Sequence, residues 1–256
     1  SRVRVLLTVA GCPLRDTLRR DVTAAVGALP GVTAVEVDLG VMSDEQRAAL
    51  RDVLKGGQAD REIPFARADS LTEVIAVASG KGGVGKSSVT VNLARALAAA
   101  GRKVGVLDAD IYGPSVPLML GLKHSPEVLD NKIQPPIVEN VKVMSMGFFY
   151  EQSQQAGIYR GPIIAGIIKQ FITDVNWGDL DYLIIDLPPG TGDAPLTMAQ
   201  TIPITGILIV TTPQDVAMNV AVKSIGMFNK LNIPLIGVVE NMSYLLCPNC
   251  KEKINI

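Results

Sequence analysis

Gly80-Lys81-Gly82-Gly83-Val84-Gly85-Lys86-Ser87 is the stretch whose reading decides the fold. It fits G-x-x-x-x-G-K-[ST], the pattern of a phosphate-binding loop, and its flanks supply the context that pattern requires. Residues 74–79 (VIAVAS) form an apolar run of strand length, and Lys86 to Ala100 carry a helical pattern. The glycines let backbone N–H groups turn inward onto phosphate oxygens, and the start of the helix adds its positive end. Gly80, Lys81, Gly82, Gly83, Val84, Gly85, Lys86, Ser87 and Ser88 are therefore candidate contacts of ATP. Lys86 is expected to bridge the β- and γ-phosphates, and the Ser87 hydroxyl to ligate Mg²⁺.

Outward from the loop, further apolar runs alternate with helical stretches: KVGVLD (103–108), VKVMSM (141–146), YLIID (182–186), ILIVTT (207–212) and LIGVVE (235–240). Such alternation predicts an α/β fold, a mainly parallel sheet with helices on both faces, one of them from Ile163 to Val175. Ligands bind at the carboxyl ends of the strands in such sheets. Two strand ends carry carboxylates there. Asp186 closes an apolar strand and reads as a Mg²⁺ ligand acting through water, and residues 187–193 form a stiff, glycine-hinged loop able to sense a γ-phosphate. Asp108 and Asp110 end another strand, where a carboxylate holds metal-bound water, orients the attacking water, or simply forms a turn.

Ahead of this domain, residues 2–9 favour a strand, and Pro13 opens a helix with Leu14, Leu18, Val22, Ala25 and Val26 at helical spacing. Leu29-Pro30-Gly31 closes it, and Val32 to Leu39 alternates as a half-buried strand does. Ser43 with Gln46 signals a capped helix to about Leu54. The expectation is a small β-α-β-α domain over 1–55, a linker over 56–72 and the phosphate-loop domain over 73–256.

The chain has 256 residues, 48% of them apolar, enough for a core in each domain. Its 24 Lys and Arg balance 25 Asp and Glu, so no net field draws it to nucleic acid or an anionic membrane. No run approaches the roughly 20 apolar residues of a membrane helix, and Ser1 to Thr8 lack the layout of a signal peptide, so a cytoplasmic location is expected. Three cysteines in such a chain point to metal or redox chemistry and not to a disulfide framework. Cys247-Pro248-Asn249-Cys250 places two thiolates where they can grip one metal or one edge of a cluster, half of a four-thiolate set that a symmetric dimer completes. A shared structural zinc, a redox pair and an incidental pair of thiols are the other readings.

The K-G-G-V-G-K form of the loop, with the early Lys81, resembles the signature-lysine, deviant Walker A subgroup of P-loop ATPases. That resemblance implies a nucleotide-sandwich homodimer in which Lys81 compensates transition-state charge in the partner's site. It also implies Asp110 on the attacking water, Asp108 supporting the Mg²⁺ shell and Asn241, after the last strand, on the adenine edge. Together, SGKGGVGKSSVTVNLA, LDADIYGPSVP, MSMGF, YRGP, DYLIIDLPPGTGD, VTTPQD and VENMSYLLCPNC resemble the Mrp/ApbC family of iron–sulfur cluster carrier ATPases over nearly all of residues 73–250.

The family implies a cluster, [4Fe-4S] by preference, bridging Cys247 and Cys250 of two chains. It would come from cluster donors and pass to apo-proteins, with slow ATP hydrolysis gating the exchange. Residues 7–39 resemble the small domain of iron–sulfur assembly factors, with Cys12 at that domain's cysteine, a transient ligand, reactive thiol or core residue. Against the family's pattern the chain reads as incomplete at both ends. Rival readings are a MinD- or ParA-like positioning ATPase and a zinc-stabilised scaffold. His124 is expected in a surface loop, Arg160 at the nucleotide, the partner subunit or an ordinary ion pair, and Met144, Met146, Phe148 and Phe149 in packing.

Overall fold

A computed structural model describes residues 2–7, 15–47, 49, 63–67, 69–111, 113–150 and 161–255. Cys12, Pro13, Leu14, Leu54, Arg160 and residues 56–62 and 68 of the expected linker lie outside the described residues. The chain divides into two compact units, Ser1–Arg61 and Glu62–Ile256.

In the first unit β1 (Arg2–Leu7) and β2 (Glu36–Val41) pair in parallel, from Arg2↔Glu36 to Leu7↔Val41, with helix α1 (Arg15–Gly27) between them in sequence. Leu18, Val22 and Val26 are half-buried along one line of α1, while Ala25 is exposed. The turn at residues 28–31 ends the helix, with Gly31 at φ +84°. The alternation at residues 32–39 misplaces the second strand. Pairing begins only at Glu36, because a strand forms where a partner offers its N–H and C=O groups, and β1 offers six residues. The capping box is formed: Ser43 N–H donates to Gln46 Oε1 at 3.0 Å, and Gln46 N–H to Ser43 Oγ at 3.2 Å, opening a helical turn at residues 44–47.

The second unit runs β3 (Glu73–Ser79), α2 (Lys86–Ala99), β4 (Val104–Asp108), α3 (Val116–Met119), β5 (Glu127–Leu129), β6 (Lys132–Gln134), β7 (Ile137–Val138) and β8 (Val141–Ser145). It continues through α4 (Gly147–Tyr150), α5 (Gly161–Thr173), β9 (Tyr182–Asp186), α6 (Asp193–Thr201), β10 (Gly206–Thr211), α7 (Asp215–Lys230) and β11 (Leu235–Glu240) to β12 (Tyr244–Leu246) and β13 (Lys253–Asn255). Among the described residues the main sheet has seven strands in the order β11-β10-β3-β9-β4-β8-β7, parallel throughout except for β7 against β8. The α5 helix starts and ends two residues ahead of its expected span. Val175 lies beyond it, buried and bridged to Ile133.

Side chains alternate across the sheet, and both faces are covered. Val74, Ala76, Ala78, Leu183, Ile185, Ile207 and Ile209 pack with Ile168 and Ile172 of α5, Met198 of α6 and Phe228 of α7. Val77, Val106, Ile184 and Val210 face the other way, onto Val91 and Ala94 of α2. Each fully buried aliphatic side chain contributes roughly 1.5–3 kcal/mol. β9 is inserted between β3 and β4, while β10 and β11 extend the opposite side. The phosphate loop thus follows β3 where the strand order turns, the position at which open α/β sheets take ligands. Among the described residues no helix is long and apolar enough to cross a membrane.

Candidate nucleotide and thiolate sites

Three glycines of the loop are required for three different reasons. Gly83 sits at φ +79° with open space around its α-carbon, so the demand there is conformational. At Gly80 a β-carbon would lie 2.6 Å from the Val220 carbonyl carbon and 2.7 Å from Ala221 N, so α7 packs directly on the start of the loop. Gly85, at φ +89°, caps α2, and a β-carbon on it would lie 2.3 Å from Asn241 Nδ2. Lys81, Gly82, Gly83 and Ser88 are exposed, Ser87 is half-buried, and Lys86 retains 6% exposure.

β4 and β9 are neighbours in register, which sets Asp108 beside Asp186, both fully buried. Lys86 Nζ lies 2.8 Å from Asp186 Oδ1 and 3.8 Å from Asp110 Oδ2. The Ser87 hydroxyl donates to Asp186 Oδ2 at 2.5 Å, and the Thr90 hydroxyl to Asp186 Oδ1 at 2.8 Å. The fold therefore gathers Lys86, Ser87, Asp110 and Asp186 from three separate segments. A serine hydroxyl beside a buried carboxylate is a pair of hard oxygen donors, which fits Mg²⁺. Thr90 escaped the sequence reading. Its signal was available, since it follows Lys86 by one helical turn on the buried stripe Lys86, Thr90, Ala94.

Asp108, which the resemblance sets in support of the Mg²⁺ shell, accepts from four protein donors. Its Oδ2 accepts from the N–H groups of Ser115 and Val116, both at 3.1 Å, and from the Ser145 hydroxyl at 3.0 Å, while Oδ1 accepts from Asp110 N–H at 3.2 Å. The carboxylate thus anchors the loop that carries Asp110. Burial and the nearby Asp186 push its pKa up to about 6, against the opposing pull of those donors.

Asn241 also faces protein: its Nδ2 donates to the Val84 carbonyl at 2.9 Å, and its backbone N–H to the Thr211 carbonyl at 2.8 Å. The loop at 187–192 is tied to β3 by Leu187 N–H to Val77 O at 3.0 Å and Gly190 N–H to Ser79 O at 2.8 Å. At the end of β10, Thr212 Oγ1 is buried with no hydrogen-bond partner among the described residues, a polar group the sequence reading did not single out.

Cys247 and Cys250 occupy the turn of the β12–β13 hairpin. Cys247 N–H donates to Glu252 O and Lys251 N–H to Cys247 O, both at 2.9 Å, with Lys251 at φ +60°. The N–H of Cys250, then that of Asn249, then the Cys250 thiol hold the Cys247 thiol below its ordinary pKa, which favours the thiolate that binds metal. Among the described residues no group of three or more His, Cys, Asp or Glu side chains is placed to enclose a metal. Tyr244, Leu245, Leu246 and Ile254, on the two strands of the hairpin, are exposed. His124 is exposed, and Met144, Met146 and Phe148 are core, as expected.

A glycine-rich loop between strand and helix, its lysine and serine meeting a carboxylate from a neighbouring parallel strand, defines a P-loop nucleoside triphosphatase. Residues 70–256 match the family described as NUBPL iron-transfer P-loop NTPase, and residues 1–38 match that described as iron-sulfur cluster assembly protein. The chain belongs to the NUBPL iron-transfer P-loop NTPase family.

It is 52% identical over 248 residues to a protein named iron-sulfur cluster carrier protein from Mycobacterium leprae, covering 97% of this chain and 64% of that one. The chain therefore spans somewhat under two thirds of that relative's length. Among solved structures it resembles a nucleotide-binding protein in complex with ADP from Archaeoglobus fulgidus, at a TM-score of 0.67 and 44% identity over 78% of each chain. It shares its fold with the septum site-determining protein MinD from Pyrococcus horikoshii, at a TM-score of 0.50 and 24% identity over 66% of this chain and 70% of that one.

Proposed function

We propose that the protein is an ATP-dependent carrier of iron–sulfur clusters. Two copies would bridge a cluster through their paired Cys247 and Cys250, take it from a cluster donor and pass it to apo-proteins. The observation that carries this reading is the thiol pair: a hairpin turn presents Cys247 and Cys250, with backbone N–H groups lowering the pKa of one. Loading and release are exchanges of thiolate ligands, and no electrons need move. The names of the relatives and the assembly-protein match of residues 1–38 support the same role. The domain limits proposed are 1–55, 56–72 and 73–256.

In the nucleotide site Lys86 exchanges Asp186 for the β- and γ-phosphates, and Asp110, held by the loop that Asp108 anchors, orients the attacking water. Ser87 and Asp186 would hold Mg²⁺, which would supply charge neutralisation on the phosphate oxygens. Lys81, exposed at the loop surface, serves the partner's site in the nucleotide-sandwich dimer.

Anaerobic reconstitution with iron and sulfide tests this reading. A broad absorbance band near roughly 400 nm and about one cluster per two chains, lost in Cys250→Ala, is expected. A colourless protein that retains zinc instead would overturn it in favour of a structural metal site.

A further inference from the structure

We infer that Asn241 is a positioning residue that transmits the state of the phosphate loop to the thiolate hairpin, a reading that rests on the carrier function and names the contact through which nucleotide reaches the cluster site. The chain leaves β11 at Glu240, and Asn241 is pinned at once to β10 by its backbone N–H on Thr211 O. From that pivot its side-chain amide grips the Val84 carbonyl at 2.9 Å. A β-carbon on Gly85 would collide with the same amide, so the side chain of Asn241 occupies the space that the glycine leaves open.

Beyond Asn241 the chain turns sharply. Met242 takes φ +54°, and the Ser243 hydroxyl donates to Glu240 O at 3.0 Å. β12 starts at Tyr244 and ends at Leu246, and Cys247 follows it immediately.

The geometry of one peptide unit supplies the coupling. The carbonyl of Val84 and the N–H of Gly85 belong to the same rigid plane. A phosphate oxygen that draws the Gly85 N–H towards itself rotates the Val84 carbonyl by the same angle. The Asn241 amide must follow or lose its bond, and its backbone is the root of the short segment that carries the hairpin. By linkage, whatever nucleotide does to the affinity of the thiolates for their cargo, the cargo does to nucleotide affinity by the same factor.

Hydrogen exchange on the protein with and without Mg²⁺ and a non-hydrolysable ATP analogue tests this, in wild type and in Asn241→Asp, which keeps the shape but removes the donor. In wild type the analogue is expected to change exchange both at residues 80–88 and across residues 244–255. In the variant the first response persists and the second disappears. Where Asn241→Asp fails to bind the analogue, Asn241→Ala replaces it.

A second measurement compares analogue affinity before and after iron–sulfide reconstitution. The ratio is expected to differ from one by about fivefold or more in wild type and to return to about one in the variant. A hairpin response of equal size in wild type and variant overturns the inference. So does a variant that loses affinity equally with and without cluster, the behaviour of an adenine contact alone. A wild-type hairpin that responds to the analogue while no cluster forms sinks the carrier reading and leaves the mechanical link standing.

Discussion

At Asp186 two hydroxyls and one ammonium group converge on a carboxylate with no exposed surface. Two of those donors belong to the phosphate-loop motif, whereas Thr90 touches no expected ligand and acts by fixing the carboxylate. Charge-assisted hydrogen bonds of this kind contribute about 1.5–3 kcal/mol. Thr90→Val is therefore expected to weaken the apparent Mg²⁺ affinity in ATP hydrolysis by roughly tenfold or more, with Thr90→Ser restoring it; a magnesium titration of the rate checks both.

Asp108 supplies a pH signature. Its folded pKa, about 6, lies above the ordinary value of 3.8, so the folded state binds the proton more tightly. The corresponding stability is complete below 3.8 and is lost as pH rises through about 6. Urea unfolding of wild type and Asp108→Asn at several pH values is expected to show the difference moving in the variant's favour by on the order of 3 kcal/mol between about pH 4 and 7, and flat above. The spacing of the motif identified Lys86 and Ser87, and the apolar strand it closes identified Asp186. The partners of Asp108 and Asn241 arrive from Ser115, Val116, Ser145 and Val84, whose proximity exists only once the sheet is ordered.

Elements differ in how plainly the chain announces them. The apolar runs at 74–79, 182–186 and 207–212 read as strands because burial on both sheet faces leaves them almost wholly hydrophobic. The β12–β13 hairpin escaped notice because its strands are three residues each, exposed, and separated by the turn that bears the cysteines. The α7 helix matters to the loop through Gly80, where it leaves no room for a side chain. Gly80→Ala is expected to cost about 1–3 kcal/mol by urea unfolding, because the obstruction is backbone. Gly82→Ala, with open space at the same distance, is expected to stay within about 0.5 kcal/mol by the same measurement.

For the whole molecule, the balance of 24 basic and 25 acidic residues leaves association to local surfaces. If the exposed Lys81 serves a partner's site, then Lys81→Ala and Asp110→Ala proteins, each inactive alone, complement one another when mixed. Random exchange makes half of the dimers mixed, each with one intact site, so about a quarter of the wild-type hydrolysis rate is expected. No recovery on mixing, with subunit exchange verified, would place Lys81 in its own site.

For the proposed pair of ligands, ATP and Mg²⁺, the contact between Lys86 and Asp186 would make the site a coincidence detector. The ammonium group is already neutralised, so a bare polyphosphate must compete with a carboxylate and, on winning, strand that carboxylate's charge in a dry interior. A lone divalent ion meets the converse obstacle, because it must evict the lysine. When both arrive together, each takes the partner the other displaces, and no charge is left uncompensated. Equilibrium dialysis is expected to find ATP bound tightly with magnesium and at least about tenfold more weakly in EDTA, so that the cell's metal–nucleotide complex, and neither component separately, is the signal the protein reads.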